Sequence, residues 1–262
     1  MGVLNVTPDS FWEGSRRGVD AAVVRSLELF EQGADIVDIG GESTRPQGAG
    51  RVSAEEEKRR VLPPIEELRR RGAGPISIDT SKAEVARAAL DAGADWINDI
   101  SGFGFDDDMP GVAADSAAPV VLMHLRGDFT SMHAEPSYES VVPEVTKELK
   151  ASVERAVAAG VAREQILVDP GIGFAKRAPH SLEVLGDLGS LRALDRPVLV
   201  APSRKSFIGQ VLDLPVESRL MGTAAAVAAS VLGGAHVVRV HDVAEMREVV
   251  RVCDALLETR AA

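Results

Sequence analysis

Residues Ile166–Lys176 read ILVDPGIGFAK: an apolar strand stops at an acid, and the chain then turns away through proline and glycine. A short strand that is apolar on both faces belongs to a parallel sheet covered by helices. Asp169 stands at its C-terminal end, where parallel α/β sheets keep their chemistry. Gly171 and Gly173 let the backbone turn sharply and approach a ligand closely.

The same grammar extends in both directions. Upstream lie GVLNV (2–6), DIVDI (35–39), PISI (75–78) before Asp79, Trp96–Ile97 before Asn98 and Asp99, and PVVLM (119–123) before His124. Downstream lie Pro197–Val200 and HVVRV (236–240). Helical apolar spacing fills the gaps. The expected helices include Val19–Gln32, a segment opened by the Ser53/Glu56 capping box and running to about Arg71, Val141–Ala159, Ser181–Leu194 and Gly222–Leu232. Eight strand–helix units follow one another with no linker and no low-complexity segment. They predict an α/β fold, a (β/α)8 TIM barrel, with residues 1–262 as a single domain. The stretches after the first two strands are longer than ordinary βα connections, which marks them as candidate lids over the C-terminal face.

Composition narrows the function. A net charge of −11 argues against a general nucleic-acid binder or a basic membrane-surface protein. No apolar run is long enough to span a bilayer, and the first residues lack the pattern of a signal peptide. The lone Cys253 fits a buried small hydrophobe in a reducing compartment, so a cytoplasmic location is expected.

The strand ends supply Asn5, Asp79, Asn98, Asp169, Lys205, Arg239 and His241 to one rim. Singly, each has a structural explanation: Asp79 as a helix cap, Asn98 as a turn former, Arg239 as half of an ion pair. Together they are expensive to desolvate without a polar partner, and a polar ligand is the simplest one. Asp169, Asp79 and Asn98 offer acceptors and an amide to a flat heterocycle with N–H donors. Arg239, His241 and the Asn5 amide suit phosphate oxygens. Lys205 and Ser206 open a short helix, a place that favours a second anion. A heterocycle, a phosphoryl group and a second anion on one rim describe a transferase or an isomerase.

The ordered set GVLNVTPDSF, DIGGESTRP, SIDT, INDISG, LMHLRG, DPGIGFAK, SRKSFIG and RVHDV resembles the dihydropteroate synthases along the whole chain. The resemblance implies a step of folate synthesis. In it, 4-aminobenzoate displaces pyrophosphate from 6-hydroxymethyl-7,8-dihydropterin pyrophosphate, with magnesium assisting the leaving group. Residue by residue, it implies that Asp169, Asn98 and Asp79 hold the pterin. Lys205 contacts the pterin and borders the aminobenzoate pocket, Ser206 meets the aminobenzoate carboxylate, and Phe174 packs on its ring. Arg239, His241 and Asn5 hold pyrophosphate, with Asn5 also a magnesium ligand. Thr44, Arg45 and Pro46 belong to the second loop. Lys205, Arg45, Glu13 and Asp79 are the residues it puts closest to the chemistry. The family also implies a homodimer built through outer helices.

The first loop departs from the usual pattern, reading SFWEGS where SFSDGG is common, so that Trp12 replaces a small residue and Glu13 an aspartate. Two alternatives share the barrel: a pterin-dependent methyltransferase and a catalytically silent pterin-binding paralogue. The methyltransferase has no need of SRK or RVHD, and the silent protein has no need of GESTRP, Lys205 and Arg239 together. Four other features have plain structural explanations. His133 and His180 are expected in solvated loops, His236 at the far end of its strand, Trp96 in the core or an interface, and Arg69–Arg71 as a solvated helix end.

Overall fold

Each apolar run forms a short strand, and a helix packs back over it. The structure, a computed structural model, describes residues 1–7, 16–43, 51–128, 131 and 137–261. The first half runs β1 (Gly2–Asn5), α1 (Arg16–Glu31), β2 (Val37–Gly40), α2 (Ala54–Arg70), β3 (Ile76–Asp79), α3 (Ala83–Asp91), β4 (Trp96–Asp99) and α4 (Met109–Ser116). The second half runs β5 (Val120–Met123), α5 (Val141–Ala158), β6 (Ile166–Asp169), α6 (Ala178–Gly186), β7 (Leu199–Val200), α7 (Ser206–Leu212), α8 (Leu220–Leu232), β8 (Val237–Val238) and α9 (Val243–Ala261).

Strands β1 to β6 pair in sequence order, all parallel, and β7 pairs with β8. Single parallel bridges join the two sheets at Val168↔Val198 and Gly2↔Val240, so the ring closes. The expected (β/α)8 barrel is the fold.

The two-residue period of the strands sets what each side chain meets. Leu4, Ile39, Ile78, Ile97, Leu122 and Val168 are buried in the cluster shared with the helices. Val121, Leu167 and Leu199 pack instead with Met1, Trp96 and Val237 inside the ring. Trp96 is half-buried and packs against this inner cluster, in keeping with the core-or-interface expectation. The inward positions above that layer carry Asp38, Asp79, Asn98 and Asp169.

Several boundaries differ from the sequence expectation. Helix α1 begins at Arg16, not Val19. The helix expected over Ser181–Leu194 is broken: α6 starts earlier and stops at Gly186, and a 3-10 segment covers Leu188–Leu194. Asp187 has non-helical angles at the junction, between two glycines that weaken the helix on either side. Strands β7 and β8 keep only two laddered residues each. Arg69 is not a solvated helix end. Its guanidinium lies against the Gly93, Ala73 and Gly74 carbonyls and pairs with Asp95, whose Oδ2 also accepts from the Ile76 amide at 2.8 Å. It staples the end of α2 to the starts of β3 and β4.

Candidate active site

The rim is built around Asp38, halfway along β2 and fully buried. Its Oδ2 accepts from Arg239 Nε at 2.6 Å and from Asn98 Nδ2 at 3.0 Å. Arg239 Nη2 donates to Asp79 Oδ2 at 2.7 Å. One guanidinium from the β8 end thus crosses the barrel mouth and ties β2 to β3, while Asn98 of β4 joins through the same carboxylate. Asp38 Oδ1, also buried, has no hydrogen-bond partner among the described residues. Burial pushes Asp79 up to about 7 against the pull of Arg239, and Asp38 adds to the rise. Two carboxylates and one guanidinium leave this corner with a negative bias, which suits a ligand that donates N–H groups.

Asp169 faces the same space from β6. Its Oδ1 accepts from the Gly171 amide at 2.7 Å. Burial raises it to about 6, opposed by that amide and by the charges of Lys205, Lys176 and Arg239. Gly171 has φ +68°, and a Cβ there would lie 2.1 Å from the His124 carbonyl oxygen. Only glycine lets the strand turn this tightly against β5.

The cations come from β7 and β8. Lys205 precedes α7, and its Nζ stands 4.0 Å from the centre of the Phe174 ring. Burial lowers Lys205 to about 8, with Asp169 opposing. Ser206 is the first residue of α7. His241 is oriented by the buried Ser203, whose Oγ lies 3.0 Å from Nδ1 and accepts from the His241 amide at 3.2 Å. Arg204 and Asp242 form a two-pronged pair at 2.9 and 2.6 Å. Arg219 donates to the carbonyl of Arg204 at 3.1 Å. Asn5 ends β1 half-buried, opposite Gly40, with no side-chain hydrogen bond to another described residue.

Asp79, Asn98, Asp169, Lys205, Phe174 and Arg239 are therefore brought to one mouth, with His241 and Ser206 on its β7–β8 side. Thr44, Arg45 and Pro46, with Trp12 and Glu13, lie outside the described residues. Asp38 was missed although DIVDI carries the signal: period two puts it inside with Asp79. Lys176 ends the DPGIGFAK motif, and nothing in the local pattern marks it for a role. His180 is held, with Nδ1 accepting from the Arg177 amide at 3.3 Å and its ring edge-on to Tyr138.

This is a TIM barrel whose mouth sets an acid-and-amide pit against a wall of cations. The pterin binding enzyme profile matches residues 1–241. A dihydropteroate synthase of Synechocystis sp. is 47% identical over 258 residues, covering 98% of this chain and 89% of that one. The Clostridium difficile dihydropteroate synthase, solved in the presence of pteroic acid, superposes with a TM-score of 0.92 at 41% identity, over 98% of this chain and 95% of that one. The Xanthomonas albilineans enzyme, solved with 4-aminobenzoic acid, gives 0.91 at 44% identity, over 98% and 92%. The chain belongs to the dihydropteroate synthase family of pterin binding enzymes.

Proposed function

We propose that this chain condenses 6-hydroxymethyl-7,8-dihydropterin pyrophosphate with 4-aminobenzoate, yielding 7,8-dihydropteroate and pyrophosphate. The observation that carries the reading is the pit itself. Asp169, Asp79 and Asn98 converge beside Arg239 in a chain of this family.

The ionised Asp169 accepts the pterin amino and ring N–H donors, and Asn98 and Asp79 complete the contacts. Arg239 and His241 hold the pyrophosphate. The C–O bond to pyrophosphate breaks first, with the electron pair leaving on the phosphate oxygen. The methylene cation left behind is stabilised by the pterin ring. The neutral aromatic amine then forms the N–C bond and gives its proton to water or to the departing pyrophosphate. Fixed cations aimed at the leaving group matter more here than a strong base. Lys205 over Phe174 borders the aminobenzoate ring. Thr44, Arg45, Pro46 and Glu13 complete the proposed site from the two loops.

Magnesium belongs to this proposal as a substrate-borne ion. Among the described residues no cluster of three or more His, Cys, Asp or Glu could hold a metal. One amide oxygen, that of Asn5, fits an ion that takes its remaining ligands from water and phosphate. When bound it neutralises charge on the leaving pyrophosphate.

A cytoplasmic homodimer completes the reading. No described helix is long and apolar enough to cross a membrane. Met221 of α8 and Val252 of α9 are 77% and 62% exposed, on helices that pack side by side. Light scattering should show a dimer, and Met221→Arg with Val252→Glu should shift it towards monomer. A monomeric wild type would end that part of the proposal.

Mass spectrometry of a reaction holding both substrates and magnesium tests the activity. Formation of 7,8-dihydropteroate is expected. Pterin binding without any product would point to the methyltransferase or the silent paralogue.

A further inference from the structure

Behind the pit runs a second buried polar chain that plays no part in the mechanism above. Lys176 is 8% exposed. Its Nζ lies 2.8 Å from His124 Nδ1 and 3.2 Å from the carbonyl oxygens of Gly171 and Phe174. An ammonium has three donors and no acceptor, and here it finds three acceptors. Nδ1 must therefore accept, which puts the imidazole proton on Nε2. That nitrogen donates to Glu148 Oε2 at 2.9 Å. Glu148, on α5, also takes the Arg126 guanidinium, which stacks 4.0 Å over the Tyr138 ring. Tyr138 in turn donates to the Ala175 carbonyl at 2.9 Å. The chain thus begins at a solvent-facing carboxylate and ends on the loop that leaves Asp169.

We propose that Lys176, seated on His124 and Glu148, is a positioning residue for the pterin site, supplying from behind the buried positive charge that keeps Asp169 ionised; this rests on the pterin reading above. Lys176 touches no proposed substrate atom. Its reach is electrostatic. The Gly171 peptide links the two groups: its amide donates to Asp169 Oδ1 at 2.7 Å and its carbonyl accepts from Lys176 Nζ at 3.2 Å. Among the described residues the charges of Lys205, Lys176 and Arg239 favour the ionised, buried Asp169. Lys205 and Arg239 have ligands of their own to hold, and Arg239 is shared with Asp38 and Asp79. Among the described residues no carboxylate touches Lys176 directly, because His124 stands between it and Glu148. Burial pulls Lys176 down to about 7, with Asp169 and Glu148 opposing and Arg126 and Lys205 adding to the fall. Its charge is therefore present where Asp169 titrates, near 6. A carboxylate that must accept two N–H donors from a pterin serves only when ionised.

The test is calorimetric binding of 6-hydroxymethylpterin between pH 5 and about 7.5, below the ionisation of the ring N–H. Thermal melts establish that each variant is folded. Wild-type affinity should fall as the pH drops through about 6. In Lys176→Met the fall should begin nearer neutrality, with binding several-fold weaker at pH 6 and nearly unchanged at about pH 7.5. His124→Leu, which strips the ammonium of one of its three acceptors, should move the profile the same way. His124→Asn, which keeps an acceptor, should not. An equal loss at every pH, or no change in Lys176→Met, would overturn the proposal and leave Lys176 a packing group. If Lys176→Met does not fold, the His124 pair decides, and identical profiles for its two members would overturn the proposal. Absence of wild-type binding at any pH would sink the pterin reading itself, and this proposal with it.

Discussion

The mouth of the barrel has two unlike halves. Asp38, Asp79 and Asp169 stand on strands with a four-pair ladder, and Asn98 on a strand with three pairs to each neighbour. Lys205, Arg239 and His241 stand beyond β7 and β8, which ladder over only two residues. The acceptors are thus fixed by sheet register. The cations are fixed by side-chain bonds instead: Ser203 on His241, Asp242 on Arg204, and Asp38 with Asp79 on Arg239. A flat, rigid heterocycle suits a wall set by backbone geometry. A pyrophosphate that must be held and then released suits cations hung on bonds that can be exchanged.

Among the described residues Arg239 is the group that belongs to both halves, and removing it should have the largest effect. In Arg239→Ala, Asp38 and Asp79 would be left as uncompensated buried acids. Urea unfolding at pH 7 should show a loss of about 3–5 kcal/mol. The loss should shrink at pH 5.5, where Asp79 is protonated. A loss below about 1 kcal/mol would mean that the acid half does not need its bridge.

Arg204→Ala probes the cation half alone. It leaves Asp242 unpaired near the surface and loosens the turn that carries Lys205. The expected cost is about 1 kcal/mol in stability, with kcat/KM several-fold lower and bare-pterin affinity unchanged. Weakened pterin binding would show that the halves are not separable.

The smallest effect expected is on the melting temperature of the ligand-free protein. Asp79, Asp99 and Asp169 are raised by burial to about 7, 6 and 6. An acid raised in the folded state binds more protons folded than unfolded between its two pKa values, so stability falls as pH climbs through that window. His124, lowered by burial, works the other way below its ordinary value. Lys176, lowered by burial to about 7, also opposes the acids near the top of the window. On balance, melting should be higher by a few degrees at pH 5.5 than at pH 7.5. Bound pterin, by holding Asp169 ionised, should reduce the difference. A rise in melting temperature over the same interval would contradict the burial of these carboxylates.

The acid half was more legible in the sequence than the cation half, and the reason is physical. A buried strand announces itself by composition, and the acid or amide that ends it then points at the site by register. Asp79, Asn98 and Asp169 could be found this way. Asp38 could be found too, but a carboxylate in mid-strand was passed over as part of an apolar run. The weak β7 and β8 ladders and the split of the expected sixth helix at Gly186 depend on tertiary closure, which no local pattern records. Lys176 and His124 meet across 52 residues, and only the folded chain brings them together. Arg69 shows the same limit: a basic helix end looks solvated until the carbonyls of Gly93 and its neighbours are seen beneath it.

The most direct test of a divided mouth is calorimetry of 6-hydroxymethylpterin and of inorganic pyrophosphate with magnesium, each titrated separately into two variants. Asp169→Asn turns one of two acceptors into a donor. It should weaken the pterin about a hundredfold and leave pyrophosphate nearly unchanged. His241→Ala should weaken pyrophosphate about tenfold and leave the pterin unchanged. That crossed pattern is the prediction. If each variant loses both ligands to the same extent, or if Asp169→Asn binds the pterin as the wild type does, the pit and the cation wall are not the two recognition sites described here.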